Sequence, residues 1–92
     1  MKLIYCPKCK DVVKLRYEDR TCFCGKSGGH YINKQTVEIR GKAVPLCIGW
    51  TSFLKAIRRR YENNLFESVE FQSWVPPIVC GTIKRKEENG RL

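Results

Sequence analysis

The chain has 92 residues, and its 18 lysines and arginines outnumber its 9 acidic residues, which gives a formal net charge of +9. This length permits one small domain, which buries only about 60–65% of the surface of its unfolded chain. No apolar run approaches the roughly 18 residues of a membrane span, and no apolar stretch of signal-peptide length precedes Cys6. We therefore expect a cytoplasmic protein without a membrane partner, in a compartment that keeps thiols reduced.

The first predicted elements are a short strand at residues 3–5 and a metal-binding turn directly after it. The turn contains Cys6 and Cys9, and their spacing of two intervening residues is that of a zinc knuckle. Pro7 fixes φ where the chain turns between the two thiols. Residues 11–18 are predicted to form the next strand, because apolar and basic side chains alternate along them.

A second cysteine pair, Cys22 and Cys24, follows that strand with one residue between the thiols. Gly25 comes next, and glycine suits the positive φ that a chain often needs as it leaves a metal turn. Two close thiol pairs separated by twelve residues are typical of one tetrahedral zinc site, in which each pair binds from its own turn. We expect one structural Zn²⁺ with four ligands: Cys6, Cys9, Cys22 and Cys24.

Other roles for the cysteines stay open. A disulfide framework and free core thiols are alternatives to a metal site, and iron in a rubredoxin-like site is disfavoured because the second pair has a one-residue gap. His30, the single histidine, is an alternative ligand in place of Cys22 or Cys24. Cys47 and Cys80 have no close partner in the sequence. We expect both to be core thiols, and a distal pair, a second metal site and a reactive thiol are the alternatives.

Three motifs follow one another in the first third of the chain: Cys-x-x-Cys with Asp-Val-Val after it, Cys-x-Cys-Gly, and Gly-Gly-x-Tyr. They consist of Cys6, Cys9, Asp11, Val12, Val13, Cys22, Cys24, Gly25, Gly28, Gly29 and Tyr31. With these motifs the chain resembles the zinc-ribbon class, in which two β-hairpin knuckles hold one zinc ion. More narrowly, it is similar to a group of small bacterial and phage ribbon proteins, which have an acid where Ser27 stands here. The resemblance implies a fold and a metal, and no activity.

The middle of the chain is predicted to be mainly extended. Residues 26–29, with the sequence Lys-Ser-Gly-Gly, have the composition of a loop. Two strands are predicted at 30–32 and 36–40, on either side of a polar turn. Residues 43–48 are either a further short strand or an extended connection broken by Pro45.

One amphipathic helix is predicted over about residues 51–62. Apolar side chains at positions 50, 53, 54, 57 and 61 fall on one face of such a helix. Thr51 or Ser52 is predicted to supply the N-cap hydroxyl, and two asparagines after the helix suit its C-terminal end.

The last part of the chain is predicted to return to strands. Residues 65–75 have the composition of a strand, which a double proline ends. Residues 78–83 are predicted to pair with it in a loose hairpin, and residues 84–92 are predicted to form a charged, frayed tail.

These elements predict a single α+β domain over residues 1–92. It consists of an N-terminal zinc β-ribbon at 1–41, then an annex of antiparallel strands and one helix at 42–83, and the tail at 84–92. An enzyme is not expected, because there is no serine–histidine–acid set and no phosphate-binding glycine loop, and four thiolates leave no position for activated water. Redox use of the first cysteine pair is disfavoured, because a thioredoxin-like site opens a helix. No small-molecule substrate is evident.

The basic residues are unevenly distributed. Residues 1–60 carry fourteen basic and four acidic side chains, whereas residues 61–92 carry four basic and five acidic ones. This asymmetry predicts a positive surface for a polyanion, and nucleic acid is the commonest one. The alternative is that the charge serves solubility alone. The predicted nucleic-acid contacts lie around the ribbon and on the helix: Lys8, Lys10, Lys14, Arg16, Arg20, Lys55, Arg58, Arg59 and Arg60.

Two functions stay open, and the placement of the aromatic residues distinguishes between them. The ribbon aromatics, which either stack on bases or fill the core, are Tyr5, Tyr17, Phe23 and Tyr31. We favour a nucleic-acid-binding module, RNA or DNA, with these rings in support. The alternative is an adaptor that docks on a protein or on a second copy of itself. That interpretation predicts one exposed apolar patch, formed by Trp50, Phe66, Phe71 and Trp74.

Overall fold

The computed structural model describes residues 1–63 and 68–86 of the chain. The described residues form eight strands and one helix: β1 (Lys2–Tyr5), β2 (Val12–Lys14), β3 (Arg20–Thr21), β4 (Ser27–Tyr31), β5 (Val37–Gly41), β6 (Val44–Ile48), α1 (Trp50–Asn63), β7 (Ser73–Trp74) and β8 (Ile83–Arg85). This arrangement confirms the predicted α+β class. Within those ranges, no helix has both the length and the apolar character that crossing a bilayer requires.

The strands form two four-stranded sheets that share one core. The first sheet has the strand order β2-β1-β6-β7 and is antiparallel throughout. The second has the order β3-β4-β5-β8, in which β8 runs parallel to β5 and the other pairs are antiparallel. Buried side chains of both sheets pack in one cluster, which includes Ile4 of β1 and Val37 and Ile39 of β5. Cys6 and Cys22 belong to the same cluster, so the candidate metal ligands are part of the core.

The structure forms a strand at β6 in spite of its proline, which decides between the two predicted alternatives. Pro45 lies opposite Ile4 of β1. Ile48 donates its backbone N–H to the Met1 carbonyl, on the side of the strand that faces β1. Because the backbone N–H groups of successive strand residues point to opposite sides, the nitrogen of Pro45, three residues earlier, lies on the side away from β1. On that side β7 pairs with Cys47 and Ile48, and among residues 1–63 and 68–86 no strand pairs with Pro45 there. The pairing of β6 with β1 joins the predicted annex to the predicted ribbon.

The predicted loop at 26–29 is wrong, because β4 begins at Ser27 and its first three residues are buried. Gly28 pairs with β3 on one side and with β5 on the other. A Cβ atom at Gly29 would lie 2.7 Å from the backbone oxygen of Glu38, which is closer than side-chain carbons approach. The two glycines therefore allow neighbouring strands to approach closely, whereas the composition of residues 26–29 alone predicted a loop.

The predicted C-terminal hairpin is also wrong. The strand expected over 65–75 is only Ser73–Trp74 within the described residues, and it pairs with β6. Positions 64–67 lie outside the described residues. The chain then crosses to the other sheet, where β8 pairs in parallel with β5 instead of returning along β7. Two of the residues expected in a frayed tail belong to β8, and Arg85 donates hydrogen bonds to the carbonyl oxygens of Gly41 and Ala43 at 2.8 and 2.7 Å.

The predicted helix is confirmed, but its predicted N-cap is wrong. The helix begins at Trp50, and the carbonyl of Gly49 accepts the backbone N–H of Phe53 at 2.9 Å. The Ser52 hydroxyl donates to Gly49 at 3.0 Å and accepts the backbone N–H of Gln72 at 2.9 Å. This serine therefore connects the first turn of α1 to the segment before β7.

The apolar face of α1 is only partly covered. Ala56 is buried and Phe53 is half-buried, whereas Leu54, Ile57 and Tyr61 are exposed. The spacing of apolar residues correctly predicted the helix, but the buried residue Ala56 was not among the five apolar positions expected on its core face. It did not predict how much of that face the sheets cover, because coverage depends on residues distant in the chain.

We expect Gly41→Ala to destabilise the protein by about 2–4 kcal/mol. Alanine is unfavourable in the left-handed backbone conformation of this position, and its Cβ atom would overlap a neighbouring backbone atom. Gly41 has φ +71°, and a Cβ atom there would overlap the carbonyl oxygen of Lys26. Gly81→Ala is the matched control, because a Cβ atom there has nothing within 4 Å. Its expected effect is below about 0.5 kcal/mol. Denaturant unfolding at a fixed excess of metal measures both, and equal midpoints would contradict the expected clash.

Candidate metal centre

Four cysteines that lie in two separate turns meet at one point of the structure. The sulfur atoms of Cys6, Cys9, Cys22 and Cys24 all lie within 4.8 Å of one another. The Cys24 sulfur is 3.8 Å from that of Cys6 and 3.6 Å from that of Cys22. A tetrahedral ion with metal–sulfur bonds of about 2.3 Å places its sulfur ligands about 3.8 Å apart. The predicted set of four thiols is therefore close enough to hold a metal ion.

The first turn joins β1 to β2 and presents Cys6 and Cys9. It is closed by two backbone hydrogen bonds, from Lys10 to the Cys6 carbonyl at 2.7 Å and from Cys6 to the Asp11 carbonyl at 2.9 Å. Lys10 has φ +65°, a left-handed conformation that side chains other than glycine seldom adopt. The turn is thus determined by the contacts around it, and sequence composition gave no sign of this conformation.

The second turn lies between β3 and β4 and presents Cys22 and Cys24. Cys22 donates its backbone N–H to the backbone carbonyl of Ser27 at 3.0 Å, and Gly25 donates its own to the Cys22 carbonyl at 3.1 Å. Gly25 has φ +79°, which confirms the conformation predicted for it. The Asp11 carboxylate accepts the backbone N–H of the residue after Cys22 at 2.9 Å and so connects the two turns.

The environment of the four thiols lowers the pKa of Cys6 and of Cys22 and raises that of Cys24. The Ser27 hydroxyl is the largest cause that lowers the pKa of Cys6 to about 6. The backbone amides of Cys9 and Lys8 act in the same direction, because all three stabilise the thiolate. The Ser27 hydroxyl is buried and has no hydrogen-bond partner among the described residues, so it is available to the Cys6 thiolate. A backbone contact from Lys26 lowers the pKa of Cys24, but burial and three neighbouring sulfur atoms together raise it to about 11.

These opposite shifts fit a cation between the sulfur atoms. Four crowded thiols do not all ionise without compensating charge, and a divalent ion supplies that charge. With a cation bound, the Cys6 thiolate would be an acceptor for the buried Ser27 hydroxyl, which has no other partner among the described residues. In the sequence, Ser27 and Asp11 stand out only as motif positions. Their roles depend on the two turns lying side by side.

We expect the pH dependence of metal affinity to steepen below about pH 6. Above that pH the Cys6 thiolate is already formed, whereas the metal must displace the proton of Cys24, whose pKa is about 11. Below it the metal must displace the Cys6 proton as well, so log affinity loses about one further unit per pH unit. Competition with a chromophoric chelator measures the affinity. Ser27→Ala should move the break to higher pH, and an unchanged slope across the range would contradict this assignment.

The other candidate ligands lie outside the cluster of four cysteines. His30 lies beside the carboxylates of Asp19 and Glu38, at 3.4 and 3.8 Å, and does not belong to the cysteine cluster. All six cysteines are free thiols, so a disulfide framework is wrong. Cys47 is buried, as expected of a core thiol, and burial raises its pKa. Cys80 is half-buried, 3.5 Å from a threonine hydroxyl that lowers its pKa.

The predicted nucleic-acid contacts lie at the surface in two groups. Eight of the nine side chains are exposed and Arg20 is half-buried, where it donates to the Lys14 carbonyl at 3.3 Å. The Lys14 ammonium lies 6.0 Å from the centre of the Trp50 ring, so the ribbon group reaches the start of α1. Lys55 and the three arginines that follow it occupy the exposed surface of the same helix.

The ribbon aromatics divide between surface and core. Phe23 is 91% exposed and Tyr17 is 64% exposed. Tyr5 and Tyr31 are half-buried, and Tyr31 packs with its ring centre 6.0 Å from that of Tyr17. Two of the four rings are therefore accessible to a ligand.

Comparisons of the chain with protein-family models, curated proteins and solved structures found no match. The resemblance to the zinc-ribbon class therefore stays a prediction, and any function assigned to this chain depends on its own geometry.

Proposed function

We propose that this protein is a non-enzymatic zinc-ribbon module that binds nucleic acid through a basic surface. The observation that carries the proposal is a set of nine lysines and arginines, eight of them exposed, without an acidic partner among the described residues. Around the metal turns and along α1, none of the nine predicted contact residues forms an ion pair with a carboxylate of the described chain.

Zinc is the metal that this ligand set favours. Zn²⁺ prefers four-coordinate tetrahedral sites in structural positions, and four thiolates are among its commonest ligand sets. Such a site has no open position for water or substrate, so its contribution is structural. A bound zinc ion would hold the two turns together and thereby the cations at positions 8 and 10, which lie in the first turn.

Two acidic side chains of the ribbon lie beside residues outside the predicted contact set. Arg40 donates two hydrogen bonds to the carboxylate of Asp19, at 2.5 and 2.7 Å, and these contacts lower the Asp19 pKa. Glu38 lies near His30 on the same sheet. The charge of Asp19 is thus matched by Arg40 of β5, and Lys14 and the exposed cations of α1 keep their charge for a polyanion. Arginine forks match phosphate oxygens, and phosphate contacts release counterions.

Equilibrium binding tests this proposal directly. Fluorescence anisotropy with labelled single-stranded and duplex oligonucleotides of RNA and DNA should show binding at low salt, with log affinity falling linearly as log salt rises. The absence of binding to every oligonucleotide at low salt, with metal-loaded protein, would eliminate the proposal.

A second candidate function, protein docking, is supported by one specific observation. Trp50, Phe71 and Trp74 are all exposed, and Phe53 makes edge-to-face contacts with Trp50 and Phe71 at ring separations of 6.2 and 5.1 Å. Phe66, the fourth residue of the predicted patch, lies outside the described residues. Sedimentation velocity over a range of protein concentrations tests self-association. A monomer at every concentration would remove the second-copy version of this candidate.

A further inference from the structure

A cleft with basic walls opens at the end of β2, next to the first residue of α1. Its volume is about 500 Å³, within the range of roughly 300–1,000 Å³ that is usual for sites of small organic groups. Three cations line it, Lys14, Arg16 and Lys34, against one carboxylate, Glu18. The cleft therefore suits a ligand with negative charge.

Three aromatic rings also line the cleft. The rings of Tyr17 and Tyr31 are tilted by 51° with centres 6.0 Å apart. The Tyr31 hydroxyl accepts the backbone N–H of Lys2 at 3.0 Å, which fixes one wall. Trp50 also lines the cleft, and the Lys14 ammonium lies over its ring, 6.0 Å from the ring centre. Flat apolar surfaces thus lie within a few ångströms of cations.

We propose that this cleft binds an unpaired nucleotide of a single-stranded nucleic acid. The base stacks on Trp50 or Tyr17, which are 48% and 64% exposed and so present accessible ring surface. The phosphates on either side contact the three cations of the cleft. The assignment deepens the proposed function and rests on it. It differs from that proposal because it names one site and one form of nucleic acid.

The shape of the site favours a single strand over a duplex. In a duplex the base faces are stacked on one another, so a concave aromatic site reaches only an unpaired base. Cations also continue beyond the cleft. Arg20 is hydrogen-bonded to the carbonyl of Lys14, and β2 leads back from Lys14 to the basic metal turn. A strand of several nucleotides contacts these additional charges, whereas a free nucleotide reaches only those of the cleft.

Two tryptophans of nearly equal exposure provide a matched test. Trp50 is 48% exposed and lines the cleft, whereas Trp74 is 46% exposed and does not line it. Trp50→Ala should weaken the binding of a single-stranded oligonucleotide by about 5- to 100-fold, the usual effect of removing one base–aromatic stack. Trp74→Ala should change that affinity less than twofold. Trp50→Phe should restore most of the affinity, and metal content confirms that each variant is folded.

Tryptophan fluorescence gives a second measurement, which detects binding in protein whose cleft is intact. The chain has two tryptophans, so Trp74→Phe leaves Trp50 as the single reporter. A single strand should quench its emission, a nucleoside monophosphate should do so only at much higher concentration, and Trp50→Phe protein should respond little.

The outcomes distinguish the cleft from the wider basic surface. If no oligonucleotide binds, both proposals are overturned, and self-association in that case favours docking of a second copy. If single strands and duplexes bind equally and Trp50→Ala weakens neither, the basic surface is supported and the cleft assignment is overturned. Equally weakened binding in the two tryptophan variants would also overturn it.

Discussion

Removing the metal with an excess of chelator is expected to unfold at least the first forty residues. Apparent binding free energies of structural zinc, about 10–16 kcal/mol in finger peptides, match or exceed the whole stability of a typical domain. Two of the four thiols, Cys6 and Cys22, are buried in the same cluster as Ile4 and Val37. Loss of the ion therefore opens the core as well as the turns. Circular dichroism and elemental analysis, before and after chelation, measure the change and identify the metal.

Single cysteine variants give the matched control for this prediction. Cys9→Ser removes one ligand of the cluster and should lower metal affinity by several orders of magnitude. Cys47→Ser replaces a buried thiol outside the cluster. It should keep a full equivalent of metal and cost about 1–3 kcal/mol, because a hydroxyl is then buried in β6. Native mass spectrometry of wild-type protein that is folded and metal-free would contradict the metal assignment.

The second large effect concerns the basic surface of α1. Replacing Arg58, Arg59 and Arg60 together by alanine should flatten the salt dependence of nucleic-acid binding by about one unit of slope for each phosphate that is no longer neutralised. Consecutive residues on a helix lie about 100° apart, so the three arginines do not all face one strand at once. We therefore expect a change of about two units, accompanied by weaker binding at low salt.

A charge-matched variant separates this surface from net charge. Lys26, Lys42 and Lys84 are exposed and lie outside the predicted contact set, and their replacement by alanine removes the same three charges. This variant should leave the slope within about half a unit of the wild-type value, because the slope reports the phosphates that are neutralised directly and not the total charge of the protein. Equal changes in both variants would show that the total charge governs binding rather than the helix surface.

The two sheets show where prediction from the sequence ended. Alternation of side chains, a property of consecutive residues, predicted a strand over residues 11–18, of which the structure forms only β2, Val12–Lys14. The parallel pairing of β8 with β5 was missed, since it joins Val37 to Ile83 across 46 positions and no local pattern records it. Likewise, Gly28 and Gly29 looked like a loop, and only the neighbouring strands show that close contact requires them.

The amino-acid sequence by itself determined the four cysteines that meet, the helix and the sign of the surface charge. Each of these follows from residue types and short spacings, which act through local backbone geometry. The tertiary structure alone decided what surrounds them: the Ser27 hydroxyl beside Cys6, the Asp11 carboxylate between the two turns, and the rings that border the basic cleft. Such neighbours come from distant parts of the chain and are brought together only by burial of the shared core.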